Sequence, residues 1–161
     1  MNVFEFALKM EEDGKAFYER LAAQSKVPEL KTIFSMLAAA EDEHHGAIEA
    51  MKKETPGAMA ESKVLENAKS VFQGLLERKN LVGMLDGDPD GYRHAMKIAE
   101  DGIKLYEEMA GKEPNPAVAQ VLRRLADAER KHLEIMTNIY DFAEAPKDFL
   151  AWGEFSNLKE F

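Results

Sequence analysis

Apolar residues recur at intervals of three and four along most of this 161-residue chain, the period of a helix that buries one stripe. Helix-forming residues dominate and β-branched runs are scarce. The pattern predicts helix A from near Asn2, suited to an N-cap, to about Ala23, a turn over Gln24 to Pro28, and helix B from about Glu29 to Lys53. Thr55-Pro56-Gly57 ends helix B, a less regular helical segment covers about Glu61 to Leu85, and Asp86 to Gly91 reads as a loop. Helix C follows from about Tyr92 to Met109, then a turn from Gly111 to Pro116 and helix D from about Ala117 to Phe142. From Pro146 a tail carries Phe149, Trp152, Phe155 and Phe161. Two short-linked hairpins joined by one long B–C crossover predict an all-α fold, an antiparallel four-helix bundle with a short C-terminal element. The length suits one domain over residues 1–161.

The two hairpins are copies of one unit. ALKMEEDGKAFYERLA at 7–22 and AMKIAEDGIKLYEEMA at 95–110 agree at eight of sixteen positions. Helices B and D keep the same 88-residue offset, since Leu37-Ala38-x-Ala40-Glu41-x-x-His44 matches Leu125-Ala126-x-Ala128-Glu129-x-x-His132. The repeat therefore spans 2–53 and 90–142 and predicts approximate two-fold symmetry. It also filters an acid-rich sequence. Glu11 pairs with Ala99 but Glu12 with Glu100, and His45 pairs with Leu133 but His44 with His132.

Register adds a second argument. Phe34, Leu37, Glu41, His44, Ile48 and Met51 form a seam spaced 3, 4, 3, 4, 3, repeated by Leu122, Leu125, Glu129, His132, Met136 and Ile139. Each Glu-x-x-His pair sits mid-seam, where packing favours Leu or Ile. Uncompensated buried ions cost several kcal/mol each. Two divalent cations would balance the four carboxylates Glu12, Glu41, Glu100 and Glu129, with His44 and His132 binding neutral. A Glu on each of two helices and a Glu-x-x-His on each of the others is a di-metal carboxylate pattern. Oxygen and nitrogen donors without sulfur suit iron or manganese, with zinc or cobalt as further candidates.

Tyr18 and Tyr106 also survive the filter, and their hydroxyls are expected to hold ligand carboxylates across the bundle. Glu19 and Glu107 repeat as well, as entry-path or surface acids. Gly14 and Gly102 are expected where helices approach closely, since each costs about 1 kcal/mol relative to Ala. Phe6, Met10 and Phe17 read as core, His45 as a flanking polar residue or spare ligand, and His94 as surface.

Composition narrows the picture further. The net charge of −9 disfavours nucleic acid as a partner. With no cysteine, disulfides, thiolate metal sites and cysteine nucleophiles are excluded. No apolar run approaches a membrane span and no basic leader opens the chain, so a cytoplasmic protein without a membrane partner is expected.

Glu12 with Tyr18, Glu41-x-x-His44, Glu100 with Tyr106 and Glu129-x-x-His132 together resemble the rubrerythrin and ferritin-like di-iron family over helices A to D. The resemblance implies a non-haem di-iron site with Glu12 and Glu100 as terminal ligands, Glu41 and Glu129 bridging, and one iron per His. It implies chemistry with hydrogen peroxide or dioxygen. The family's rubredoxin module needs four cysteines, so the electron donor is expected to be another protein such as a rubredoxin. Rubrerythrins carry an extra glutamate three residues after the third-helix ligand, where Ile103 is expected to stand. The haem-binding methionine of bacterioferritins has no match at Asp42 or Arg130, so no haem is expected. The sequence thus predicts a di-iron oxidoreductase of oxidative-stress defence, working as a homodimer. The alternatives are an iron-storage protein with ferroxidase activity and a metal-free helical interaction module.

Overall fold

A computed structural model describes residues 3–54, 63–76 and 89–144. These form five helices and no strand: α1 (Val3–Gln24), α2 (Pro28–Lys52), α3 (Val64–Leu76), α4 (Pro89–Lys112) and α5 (Pro116–Glu144). The expected Asn2 cap, the Thr55-Pro56-Gly57 break, residues 61–62 and 77–85 of the irregular segment, residues 86–88 of the expected loop and the aromatic tail lie outside the described residues.

Prolines set three of the starts. A first-turn proline sacrifices only an N–H that has no intrahelical partner, and its φ is already helical. Pro28 opens α2 and Pro116 opens α5. Asn115 caps α5, its Oδ1 accepting the Ala117 N–H at 3.0 Å. The same physics moves the start of α4 back to Pro89, inside the stretch expected to be loop.

The expected hairpins form, α1 packing on α2 and α4 on α5, while α3 lies against α2 and α5. α3 buries Val64, Ala68, Phe72 and Leu75, with Phe72 edge-on to Phe142 at 5.2 Å. The apolar core falls into two clusters. One holds Tyr18, Leu21, Leu30, Ile33, Phe34 and Leu37, and the other holds Tyr106, Met109, Val118, Val121, Leu122 and Leu125. Each residue of the second set lies 88 positions after its counterpart in the first, so the sequence repeat is a packing repeat. Between the two apolar ends lies a polar layer. Phe6 is not core as expected: it is 53% exposed, while Met10 and Phe17 are half-buried. Among the described residues no helix is long and apolar enough to cross a membrane.

Candidate metal centre

Among the described residues, five carboxyl or imidazole side chains are buried in the polar layer: Glu11 from α1, Glu41 and His44 from α2, and Glu129 and His132 from α5. On α2 and α5 the seam places Glu and His three residues apart, on one face. On α1 the buried residues Ala7, Glu11, Gly14, Tyr18 and Leu21 follow the same 4, 3, 4, 3 register. On α4 that register is carried by Ala95, Ala99, Gly102, Tyr106 and Met109.

This register corrects two of the expected ligands. Glu12 is exposed at 61% of its side chain, 3.6 Å from His45 Nε2, and Glu100 is exposed too. Six residues turn a helix by about 240° and seven by about 340°, so of two adjacent acids the one seven positions before Tyr18 faces the same way. That position is Glu11. Its counterpart before Tyr106 is Ala99, so α4 contributes no carboxylate. The position three residues further on is Gly102, not Ile103. The other expected ligands, Glu41, His44, Glu129 and His132, all lie in the layer.

The carboxylates are shared unequally. Glu41 Oε1 lies 2.9 Å from His132 Nδ1 and 3.7 Å from His44 Nδ1. Glu129 places Oε1 3.3 Å from His44 Nδ1 and Oε2 3.8 Å from His132 Nδ1. Both therefore span the two imidazoles, whose rings stack at 5.6 Å. Glu11 belongs to one side only, with Oε2 3.5 Å from His44 Nδ1. Tyr106, from α4, donates a hydrogen bond to Glu11 Oε1. Tyr18, from α1, stands edge-on to His132 at 6.0 Å, and its buried hydroxyl has no hydrogen-bond partner among the described residues.

The glycines belong to the same geometry. A Cβ at Gly14 would lie 2.8 Å from Glu41 Oε2, and one at Gly102 would lie 3.2 Å from Glu129 Cγ. The spanning glutamates thus lie across glycines of the neighbouring helix, as the repeat suggested.

Electrostatics describes a site in need of a cation. Burial pushes Glu41 well above the usual carboxylate range, reinforced by the charges of Glu129 and Glu11. Burial and Glu11 also raise Glu129. Burial would raise Glu11 as well, but its close contacts with His44 and Glu41 and the hydrogen bond from Tyr106 hold it below its ordinary value. Against its own burial, His44 is raised to about 10 by Glu11 and Glu129, so its imidazolium balances the carboxylates. Burial and charged His44 depress His132 to about 3. Glu11 Oε2, Glu41 Oε1, Glu129 Oε1 and His44 Nδ1 are all buried and make no well-aligned hydrogen bond among the described residues, close contacts such as Glu41 Oε1 to His132 Nδ1 notwithstanding. One ligand atom from each of these four residues lies within 4.8 Å of the others. Buried polar atoms in globular proteins are ordinarily satisfied. An N/O donor set that converges without well-aligned hydrogen bonds fits a divalent cation, which would take the place of the proton on His44.

No curated protein and no solved structure gives a significant match to the chain. A family model, Rubrerythrin, matches residues 2–140, a span that contains all five buried donors. The helical bundle, the buried carboxylate–histidine layer and that match agree, and the chain belongs to the rubrerythrin family.

Proposed function

We propose that the chain is a non-haem di-iron oxidoreductase that reduces hydrogen peroxide or dioxygen in defence against oxidative stress. The observation that carries this reading is the sharing of Glu41 and Glu129 between His44 and His132, the relation that two bridging carboxylates have to two metal ions. Glu11, Glu41, His44, Glu129 and His132 would hold the irons. Manganese or zinc suits the same donors, but zinc cannot supply electrons. When bound, the iron pair supplies the electrons and Lewis acidity that cleavage of an O–O bond requires.

The chain's own residues set the conditions. Tyr106 fixes the orientation of Glu11 through its hydrogen bond, as outer partners do for metal ligands. The apolar clusters on either side of the layer exclude bulk water, which strengthens each electrostatic contact. The chain carries no cysteine, so the electron donor in this proposal is another protein, such as a rubredoxin. A cytoplasmic homodimer completes the proposal. Exposed Phe6, beside a groove of about 530 Å³ also lined by Met10, Phe17 and Ile98, supports a partner surface.

One feature favours iron uptake with ferroxidase activity as a second reading. Glu12, Glu19 and Asp42, the last paired with Lys15 at 3.2 Å, line a surface depression of about 250 Å³ that reaches Glu11 and Glu41, an acid-rich route for cations. Stopped-flow oxidation of the ferrous-loaded protein tests the main reading. Peroxide should oxidise the wild type far faster than Glu41→Ala; equal rates would sink it. Gel filtration bears on the second reading, because a closed storage cage would elute as a large assembly and a dimer would not.

A further inference from the structure

The two halves of the centre differ in a way that their repeat makes measurable. On the His44 side, Glu11 supplies a carboxylate and Tyr106 donates to it from the opposite hairpin. Two-fold symmetry would place a carboxylate at position 99 beside His132, with Tyr18 donating to it. Position 99 is alanine, fully buried, so that carboxylate is missing. Tyr18 is 1% exposed and its hydroxyl is unpartnered. The missing acceptor and the orphaned donor are two marks of the same asymmetry. Compared with Glu, Ala lacks a CH2–COO− fragment, which is acetate less one hydrogen. Charge points the same way: three carboxylates leave two divalent cations with an excess of positive charge in a dry layer, where such an excess is costly.

We propose that the α4 side of the centre, between Ala99, Tyr18 and His132, binds a small exogenous monocarboxylate of formate or acetate size. It accepts the Tyr18 hydrogen bond and supplies the carboxylate that α4 lacks. The proposal rests on the two-ion reading above. The ion on the His132 side is then conditional on the small acid, while the ion on the His44 side has its carboxylate built in. Bulky acids such as benzoate do not substitute.

Cobalt(II) titration of the full chain in a non-coordinating buffer, followed by visible absorption and calorimetry, tests this. Without a carboxylate, one ion binds tightly and a second weakly. Acetate tightens the second ion by about tenfold, the scale on which supporting groups alter metal affinity. Tyr18→Phe lowers the acetate effect severalfold. Ala99→Glu binds two ions with no acetate dependence, because the chain now carries the missing group. A second ion bound equally well with and without acetate in the wild type would overturn the proposal and leave the two-ion reading standing. A second ion that fails to bind even with acetate would overturn both. The Tyr18→Phe arm decides the issue independently if Ala99→Glu does not fold.

Discussion

Gly14→Ala should separate the stability of the bundle from its capacity for metal. In the middle of a helix, alanine is worth about 1 kcal/mol over glycine, because it loses less backbone entropy on folding. Against this, the new Cβ would lie 2.8 Å from Glu41 Oε2, while Glu41 Cδ and Cγ stand at ordinary contact distances of 3.5 and 3.8 Å. Only the far end of the side chain is crowded, and without a cation that end can turn away. The metal-free variant should therefore be as stable as the wild type or more stable by up to about 1 kcal/mol, a gain of roughly 2–4 °C in Tm for a chain of this size. With metal bound as proposed, Glu41 would serve both halves of the site, and its carboxylate could not turn without leaving a ligand position. Affinity should fall by about 10- to 100-fold, the range seen when the support of a ligand is disturbed. At Gly102 the nearest atoms are Glu129 Cγ at 3.2 Å and Cδ at 3.4 Å, so the contact is softer but lies nearer the backbone. Gly102→Ala should disturb metal binding less and gain less stability. Denaturant unfolding of metal-free and cobalt-loaded protein, with competition titrations, measures both quantities. The reasoning is refuted if Gly14→Ala destabilises the metal-free protein by more than about 2 kcal/mol, or leaves metal affinity unchanged.

Two further outcomes follow from the same geometry. Because His44 is raised to about 10 and is protonated at neutral pH without a cation, metal uptake should release protons and tighten as pH rises toward that value; calorimetry in buffers of different ionisation enthalpy should show the release, and heats independent of the buffer would contradict it. Asn115→Ala removes the cap of α5 and should cost about 1 kcal/mol in denaturant unfolding without changing metal affinity, since the cap lies outside the polar layer.

Much of this arrangement is legible in the sequence because buried polar residues in an apolar seam need a reason. Glu41, His44, Glu129 and His132 interrupt the 3, 4 spacing of α2 and α5, and the structure brings all four together. The paired glycines signal the close approach that the spanning glutamates require. The terminal carboxylate is where identity between the repeats misleads. Repeated residues mark repeated surface as well as repeated core: Lys9 and Asp13 form an exposed ion pair at 2.9 Å, and Lys97 and Asp101 repeat it at 2.7 Å. Glu12 and Glu100 share that wetted face. The signal that finds Glu11 is the register of Tyr18 and Gly14, applied to α1 as it was to α2. The same register shows the asymmetry, because it lands on Ala99 in α4. The early start of α4 is likewise a matter of position, since proline breaks a helix interior but suits its first turn.

In the proposed metal centre Glu11, and not its neighbour Glu12, joins Glu41, His44, Glu129 and His132. Elemental analysis of wild-type, Glu11→Gln and Glu12→Gln protein, loaded with ferrous iron under anaerobic conditions and then desalted, tests it most directly. Glu12→Gln should retain as much iron as the wild type, and Glu11→Gln should retain markedly less. Loss of iron from Glu12→Gln with full retention by Glu11→Gln would contradict the account.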